Sequence, residues 1–366
     1  MSVFWIVLLT LALSGIQAFV FVRFNLKRIE YDRRFTRKSA FEGEHVGLVE
    51  VIRNRKILPV PWVRVESRIS PFLRFKGARS EERAINADRY HRSIFYLGPM
   101  SQVTRSHDVE CLARGHYEVG SVALTSGDLL AFAYDTKQLS CQCGIDVYPR
   151  LLSEDELNTP STRWQGDLIV KRWIMPDPFL TSGIRGYQAG DPMRDVHWGA
   201  TARTGSLQVK VRDYTADPKM FVVLNVQNTE EQWGDLMDYE RGGIEQGIRM
   251  AATLCLRALR LGVEAGFAAN GCLYGEKGEE KPVIVPARAS HDQADTILTV
   301  MARLELHREF TFPRFLDLLN DVRDTDILIL SVYDSEAIQG RMAELRARGN
   351  SVTLMRLEAP RHAATA

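Results

Sequence analysis

Residues Val3 to Val22 read VFWIVLLTLALSGIQAFVFV, twenty positions without a charge, and this run constrains the chain more than any other feature. At about 1.5 Å per helical residue it covers roughly 30 Å, the hydrocarbon thickness of a bilayer. A cleaved signal peptide is the competing reading. The flanks speak against it, since no Lys or Arg precedes the run and no A-x-A site closes it. The expectation is a retained single-pass anchor over residues 3–22. Arg23, Lys27, Arg28, Arg33, Arg34, Arg37 and Lys38 follow at once, against Glu30 and Asp32. Positive charge stays inside, which predicts a cell-membrane protein with its N-terminus outside and its bulk in the cytoplasm. The same cations suit anionic headgroups.

Beyond this cluster the charge is even. The chain carries 47 Lys+Arg and 46 Asp+Glu, a net +1, so no domain-wide basic field invites nucleic acid. Cys111, Cys141, Cys143, Cys255 and Cys272 are scattered, with neither a C-x-x-C pair nor zinc spacing, which excludes a disulfide scaffold.

From residue 30 to 150 the apolar positions alternate with period two. VGLVEVI (Val46 to Ile52), WVRVESRI (Trp62 to Ile69), RSIFYL (Arg92 to Leu97), VTRSHDVECL (Val103 to Leu112) and YEVGSVAL (Tyr117 to Leu124) are the clearest runs. Short alternating stretches between Gly, Pro, Asn and Ser punctuation predict antiparallel strands, and six or more of them predict a β-sandwich. Pro59, Pro61, Pro71 and Pro99 fall between strands or at edges. His45, His91, His107 and His116 occupy different strands or loops without ligand spacing, so each reads as a surface or hydrogen-bonded histidine rather than a metal ligand.

Residues 151–214 form a connector and a dense motif. Pro160, Pro176 and Pro178 interrupt the stretch from Leu151 to Leu180, which predicts a linker with one short helix. GIRGYQAGDPMRDVHWGATARTGSLQVKVRDY (Gly183 to Tyr214) follows. Asp191 as cap and Pro192 at the first position predict a helix over Pro192 to Thr204, stopped by Gly205, with a strand over Leu207 to Val211. Trp198, at helical spacing, reads as core. Between Arg163 and Arg212 eight cations face four carboxylates, and three readings compete for them. Arg185, Arg194 and Arg203 pair internally with Asp191, Asp195 and Asp213; or their forks face a partner's carboxylates or phosphates; or His197 works as an acid–base group with Asp191 or Asp195. No Ser or Cys nucleophile stands at a motif position for the last.

This block resembles the signature of the domain of unknown function 58 family, in which an R-x-Y-x-x-G-D-x-x-R-x-x-x-W unit joins an A-R-x-G-x-L segment. Arg185, Tyr187, Gly190, Asp191, Arg194, Trp198, Ala202, Arg203, Gly205 and Leu207 occupy its positions. Phe41 to Trp62 and Cys111 to Gly120 are similar to the family's first sandwich strands. The resemblance implies a bacterial membrane protein ending in a von Willebrand factor A-like domain. It also implies association with a MoxR-type AAA+ ATPase and a transglutaminase-like membrane protein. Many relatives begin with two close membrane helices, and this chain has room for one.

The region 219–358 supports that architecture independently. MFVVLNV (Met220 to Val226), Val263 to Ala269, DILILSV (Asp326 to Val332) and Ser351 to Leu357 are near-continuous apolar runs of strand length. Tyr239 to Leu261, His291 to Leu306, Pro313 to Val322 and Ser335 to Arg348 read as helices between them. Alternation of this kind predicts a doubly wound, mostly parallel sheet with helices on both faces. In von Willebrand factor A-like domains the first strand ends in D-x-S-x-S, which holds Mg²⁺; here Asn225, Asn228 and Thr229 stand in that place. A hard dication wants anionic oxygens, so the position reads as degenerate and no cofactor is expected. Asp334 reads as the cap of the helix that follows.

No Gly-rich phosphate loop, G-x-S-x-G elbow or H-E-x-x-H pair is present. The chain therefore reads as a membrane-anchored, cytoplasm-facing interaction or scaffold protein in assembly or cell-envelope processes. The alternative is a hydrolase-like enzyme using His197 and neighbouring carboxylates.

Overall fold

The computed structural model describes residues 2–76, 83–85, 88–130, 133–157, 181–188, 191–212, 219–232, 236–237 and 240–357. The chain divides into two compact units, residues 1–150 and 151–366.

The first unit opens with α1 (Ser2–Phe24), a helix whose one charge is Arg23 in its last turn. Ten strands follow: β1 (Ile29–Phe35), β2 (Ser39–Phe41), β3 (His45–Asn54), β4 (Val60–Ile69), β5 (Leu73–Lys76), β6 (Arg83–Ile85), β7 (Asp88–Leu97), β8 (Gln102–Cys111), β9 (Gly115–Gly127) and β10 (Tyr134–Tyr148). They form a four-stranded sheet, β1-β3-β8-β5, and a six-stranded sheet, β2-β10-β9-β4-β7-β6. Period-two alternation turns one face of each sheet inward. Val46, Leu48 and Ile52 of β3 share a core with Val63 and Val65 of β4, Leu97 of β7 and Leu124 of β9. The two sheets are thus the layers of a sandwich, the larger architecture that the alternating runs predicted.

The lower half of α1 belongs to this unit. Ser14, Gln17, Ala18 and Phe21 are half-buried, while their neighbours Gly15, Ile16 and Phe19 are exposed. Spacings of three and four make them one stripe, and α1 packs against β9 and β10. Arg33 overturns part of the charge reading. Although it sits in the basic cluster after the apolar run, it is 2% exposed and points into the sandwich.

The second unit begins with α2 (Glu154–Leu157), followed by β11 (Thr181–Gly186), a single 3-10 turn (Met193–Asp195), α3 (Trp198–Thr204) and β12 (Gln208–Arg212). Then come β13 (Lys219–Leu224), α4 (Arg241–Arg260), β14 (Glu264–Ala269), β15 (Cys272–Leu273), β16 (Val283–Arg288), α5 (Gln293–Arg303), β17 (Leu304–Glu305), α6 (Phe312–Asp317), β18 (Asp326–Ser331), α7 (Glu336–Ala347) and β19 (Ser351–Arg356). The main sheet runs β16-β14-β13-β18-β19. β14, β13, β18 and β19 are parallel, and β16 is an antiparallel edge.

Helices cover both faces of β13, which explains its unbroken apolar run. Phe221 and Val223 pack with Phe315, Ile338 and Met342 from α6 and α7 on one side. On the other, Gly247 of α4 lies so close that an added Cβ would sit 3.0 Å from Leu224 Cδ1. Edge strand β16 carries no continuous apolar run because it alternates, with Val283 and Val285 buried and Ile284 and Pro286 exposed. Proline is tolerated there because an edge strand has donors to spare. Ser335, not Asp334, caps α7, its Oγ accepting from the Ile338 N–H at 3.4 Å. Asp334 instead accepts from Gln339 Nε2 at 2.8 Å.

Close approach of strands sets one clear requirement. A Cβ added at Gly266 would lie 2.5 Å from Phe221 Cδ2 and 2.7 Å from the backbone nitrogen of Ala287. Gly266→Ala should therefore cost on the order of 1–3 kcal/mol, the range for overpacking, seen as a lower urea midpoint for the α/β unit. A midpoint equal to the parent's would contradict this packing.

Candidate functional site

The family-like block forms a small unit on the β11–β12 hairpin. Ile184 faces Lys210 and Arg185 faces Val209 across the pair. The Arg185 fork donates to both oxygens of Asp191 at 2.7 Å, and the Gln188 N–H donates to the same carboxylate at 2.9 Å. The Arg185 guanidinium, helped by the Gln188 amide, holds the Asp191 carboxyl below the usual carboxylate range. Tyr187 closes the hairpin by its N–H to the Leu207 carbonyl at 2.9 Å. Arg185 thus takes the internal-pairing reading, and Asp191 closes a loop rather than capping a helix.

The predicted helix over 192–204 is broken. Val196 bridges to Val209, and both are buried, so the chain turns extended there. Packing of two β-branched side chains outweighs helical continuity. The helix restarts as α3, capped by His197, whose Nδ1 accepts from the Ala200 N–H at 3.0 Å. Gly205 ends it at φ 69°, as its position predicted. No residue of α3 is buried, and Trp198, expected in a core, is 63% exposed. Arg203 lies in the last turn, where a cation favours the helix dipole. Gly190 and the side chain of Arg194 lie outside the described residues, and with them the expected pairing of Arg194.

A second constellation lies beyond the carboxyl ends of β13, β14 and β18, where the strand order reverses and ligands of such sheets commonly bind. Here the position is filled by neutral amides. Asn225 Nδ2 donates to Ser331 Oγ at 3.0 Å, and its Oδ1 accepts from the Gln227 N–H at 3.0 Å. Asn270 Oδ1 accepts from the Val226 N–H at 2.8 Å, and Gln227 Oε1 accepts from the Phe312 N–H at 2.9 Å. Asn225, Gln227, Asn270 and Ser331 are all 0% exposed. Asn228 donates from Nδ2 to the Glu240 carbonyl at 3.0 Å, and the Thr229 carbonyl faces Gln227 Nε2 at 3.5 Å. Apart from Asn228 Oδ1, which is buried without a partner, the amide oxygens are engaged by backbone and side-chain donors, and the set includes no carboxylate for a hard dication. These residues tie strand ends together.

The third constellation is one that reading the chain residue by residue missed. Tyr31 and Arg33 from β1, Glu50 from β3 and His107 from β8 meet Ser67 from β4 and His91 and Ser93 from β7 between the two sheets. Arg33 lies directly across from Glu50, and Ser67 across from His91. Glu50 is 0% exposed and His91 3%. Tyr31 donates to Glu50 Oε1 at 2.8 Å, and Ser93 to Glu50 Oε2 at 3.0 Å. His107 Nε2 lies 2.9 Å from Oε2, and Arg33 Nη2 lies 3.6 Å from Oε1. Arg33 Nη1 donates to Ser67 Oγ at 2.6 Å. Because the Ser93 proton goes to Glu50, Ser93 Oγ accepts from His91 Nε2 at 3.0 Å, leaving His91 Nδ1 as a bare lone pair. Phe75 stacks on the His91 ring at 4.4 Å.

Electrostatics follow from this geometry. Burial works to raise the Glu50 acid, but the His107 hydrogen bond, Arg33 and Tyr31 outweigh it and hold the carboxyl down to about 2. Burial pushes the His91 imidazole down to about 4, against the pull of Glu50. The ligand atoms of Glu50, His91 and His107 lie within 4.8 Å of one another, a two-histidine, one-carboxylate set of the kind that suits zinc or iron. The surroundings do not fit a dication. Arg33 already balances Glu50, so a metal would leave two uncompensated positive charges in a sandwich core, which is costly. The cluster is a charge-balanced clasp between sheets. Its signal in the sequence is register: Glu50 takes an inward position among Val46, Leu48 and Ile52.

Residues 183–324 match the model of the family described as Protein of unknown function DUF58, and over this segment the chain resembles that family. No curated protein matches the chain. Among solved structures it is similar to the CARDB domain of the PF1109 protein from Pyrococcus furiosus, with 13% identity over 34% of this chain and 96% of that one, TM-score 0.21. A non-cellulosomal cohesin from Archaeoglobus fulgidus gives 7% identity over 35% and 96%, TM-score 0.22. The third cohesin ScaC from Acetivibrio cellulolyticus gives 8% over 32% and 99%, TM-score 0.22.

Two outcomes follow from the clasp. Glu50→Gln removes the charge and strands Arg33, so stability of the sandwich should fall by about 3–5 kcal/mol. Hydrogen exchange at β3 and β7 amides measures it, and parent-like protection would contradict the assignment. A depressed acid gives stability that is present above its unfolded value and lost as pH falls through the folded one. Glu50 therefore acts from about 4.5 down to about 2. His91 is kept neutral in the fold, so the unfolded chain takes up more protons between about 6.5 and about 4, and stability falls with pH there too. Protection factors at these amides, corrected for the intrinsic pH dependence of exchange, should fall as pH drops below 6.5, and His91→Gln should flatten the upper part of that slope.

Proposed function

We propose that the chain is a membrane-anchored interaction or scaffold protein whose hairpin–helix unit presents a partner surface beside a von Willebrand factor A-like domain. Three features support the anchor and the domain. α1 is apolar and long enough to cross a bilayer. Cations follow it, which favours a cytoplasmic body. The sheet order β16-β14-β13-β18-β19, with an antiparallel edge and covered faces, suits the von Willebrand factor A-like reading, and the amide-filled strand ends fit a member that has exchanged metal chemistry for structure.

The observation that carries the partner surface is Trp198. It is a large aromatic, 63% exposed, at the first position of a helix held by the Arg185–Asp191 clasp and the His197 cap. Exposed aromatics on a pre-ordered element are typical anchors of interfaces, because little freedom is lost on binding. Ile184, Met193 and Leu207 of the same unit are exposed as well. The partner proposed is a MoxR-type AAA+ ATPase, with a transglutaminase-like membrane protein as a further member of the assembly. The hydrolase-like alternative has less behind it, since Asp191 is committed to Arg185 and His197 Nδ1 to Ala200.

Trp198→Ala tests the reading. Thermal stability should change by less than about 0.5 kcal/mol, as surface substitutions do. Affinity of the full chain, in nanodiscs, for a purified MoxR-type ATPase should fall roughly thirtyfold, the loss of an anchor worth about 2 kcal/mol. Unchanged affinity, or a large loss of stability, would remove Trp198 from the surface.

A further inference from the structure

We infer that the end of the sandwich carrying α1 is itself a lipid-binding surface, with Leu129 and Leu130, just after β9, entering the bilayer interface beside the helix. The inference rests on the anchor reading of α1 and adds a second membrane contact to it.

Gln17 Nε2 donates to Asp128 Oδ2 at 3.4 Å and Asn25 Nδ2 to the Gly127 carbonyl at 2.6 Å, so the end of β9 and Asp128 lie alongside α1 between Gln17 and Asn25. Gln17 precedes the end of the apolar run at Val22 by five residues, roughly 8 Å of helix. Where α1 spans the bilayer, Asp128 and the leucines that follow it therefore stand at the lipid interface. The half-buried stripe from Ser14 to Phe21 points the same way, because protein rather than lipid lies against that face of α1.

The side chains that meet lipid there are apolar. Leu129 is 61% exposed, Leu130 54% and Tyr134 70%. Asp128 is not left bare at that depth. Its oxygens accept from the N–H groups of Leu130 at 3.1 Å and Ala133 at 2.9 Å, and its carbonyl accepts from Trp62 Nε1 at 3.1 Å. With its polar atoms engaged, Asp128 shapes the loop and directs the leucines outward.

Two further loops share this end. The β3–β4 loop is held to the foot of α1 by Lys56 Nζ, which donates to the carbonyls of Asn25 at 2.5 Å and Lys27 at 3.1 Å. The Met100 N–H of the β7–β8 loop donates to the Lys56 carbonyl at 2.9 Å. These loops expose Ile57 at 82% and Met100 at 65%. Apolar side chains on loops that also border the cations Arg23, Lys27, Arg28 and Lys56 are the pattern of an interfacial membrane surface on anionic lipid. Exposed single hydrophobes are ordinary; their concentration on the loops that surround a membrane helix is not.

The test uses the full chain in vesicles of phosphatidylcholine and phosphatidylglycerol. The native thiols are buried, so one introduced cysteine takes an environment-sensitive fluorophore selectively. L129C should emit as in an apolar medium, be quenched severalfold by a lipid nitroxide near the headgroup, and resist aqueous iodide. E118C, exposed at the opposite end of β9, should behave in the reverse way, and L11C in α1 should respond to a deep nitroxide. Iodide quenching of L129C while L11C remains in lipid overturns the loop inference and leaves the anchor standing. Iodide quenching of both overturns the anchor as well.

Discussion

The joint between α1 and the sandwich is the constraint on which the rest of the first unit depends. Asn25, one residue past the helix, is 0% exposed and donates from Nδ2 to the Gly127 carbonyl at 2.6 Å and to Ser126 Oγ at 3.1 Å. Leu26 and Ile29 then enter the core, and Arg28 turns the chain with φ 53°. A buried amide held by two partners resists extraction because each lost hydrogen bond leaves a polar group dry. An apolar helix that would otherwise be a tether becomes part of the sandwich.

Both units place polar groups where an ordinary core has hydrocarbon, and they do so differently. The sandwich buries charge, Glu50 against Arg33, with Tyr31, Ser93 and His107 completing the carboxylate's hydrogen bonds. Such a pair adds little net stability over hydrocarbon, yet losing one partner is costly, so it fixes which strand faces which. The α/β unit instead buries neutral amides at the strand ends, where Asn225, Gln227 and Asn270 bond to backbone N–H and carbonyl groups and to one another's or neighbouring side chains, and carry no charge to compensate. The first arrangement responds to pH; the second does not.

Architecture was legible because its signals are periodic. Period two in β3 and β4 and continuous runs in β13 and β18 report how many faces of a strand are covered, and that alone gave a sandwich and a mostly parallel sheet. Local competition was harder to read. Asp191, Pro192 and Gly205 announce a helix, but Val196 finds a buried partner in Val209, beyond the end of that helix, and pairing between strands defeats local preference. Trp198 misled for a related reason: helical spacing implies a core only where the helix is long enough to have a buried stripe, and α3 has seven residues. The Glu50 cluster was invisible to spacing because its members come from five strands, and only register brings them together. Arg33 shows the same limit, counted with surface cations until the fold turns it inward.

The placement of the sandwich at a membrane requires that α1 and the sandwich move as one body. Spin labels on Ile16 and Glu118, both exposed, report this by pulsed dipolar spectroscopy on the full chain in bilayers. A single narrow distance distribution, unchanged between detergent and bilayer and broadened by Asn25→Leu, is the expected result. A broad or multiple distribution in the unmodified chain would show the helix to be a loose tether, and the membrane-facing orientation of the sandwich would fall with it.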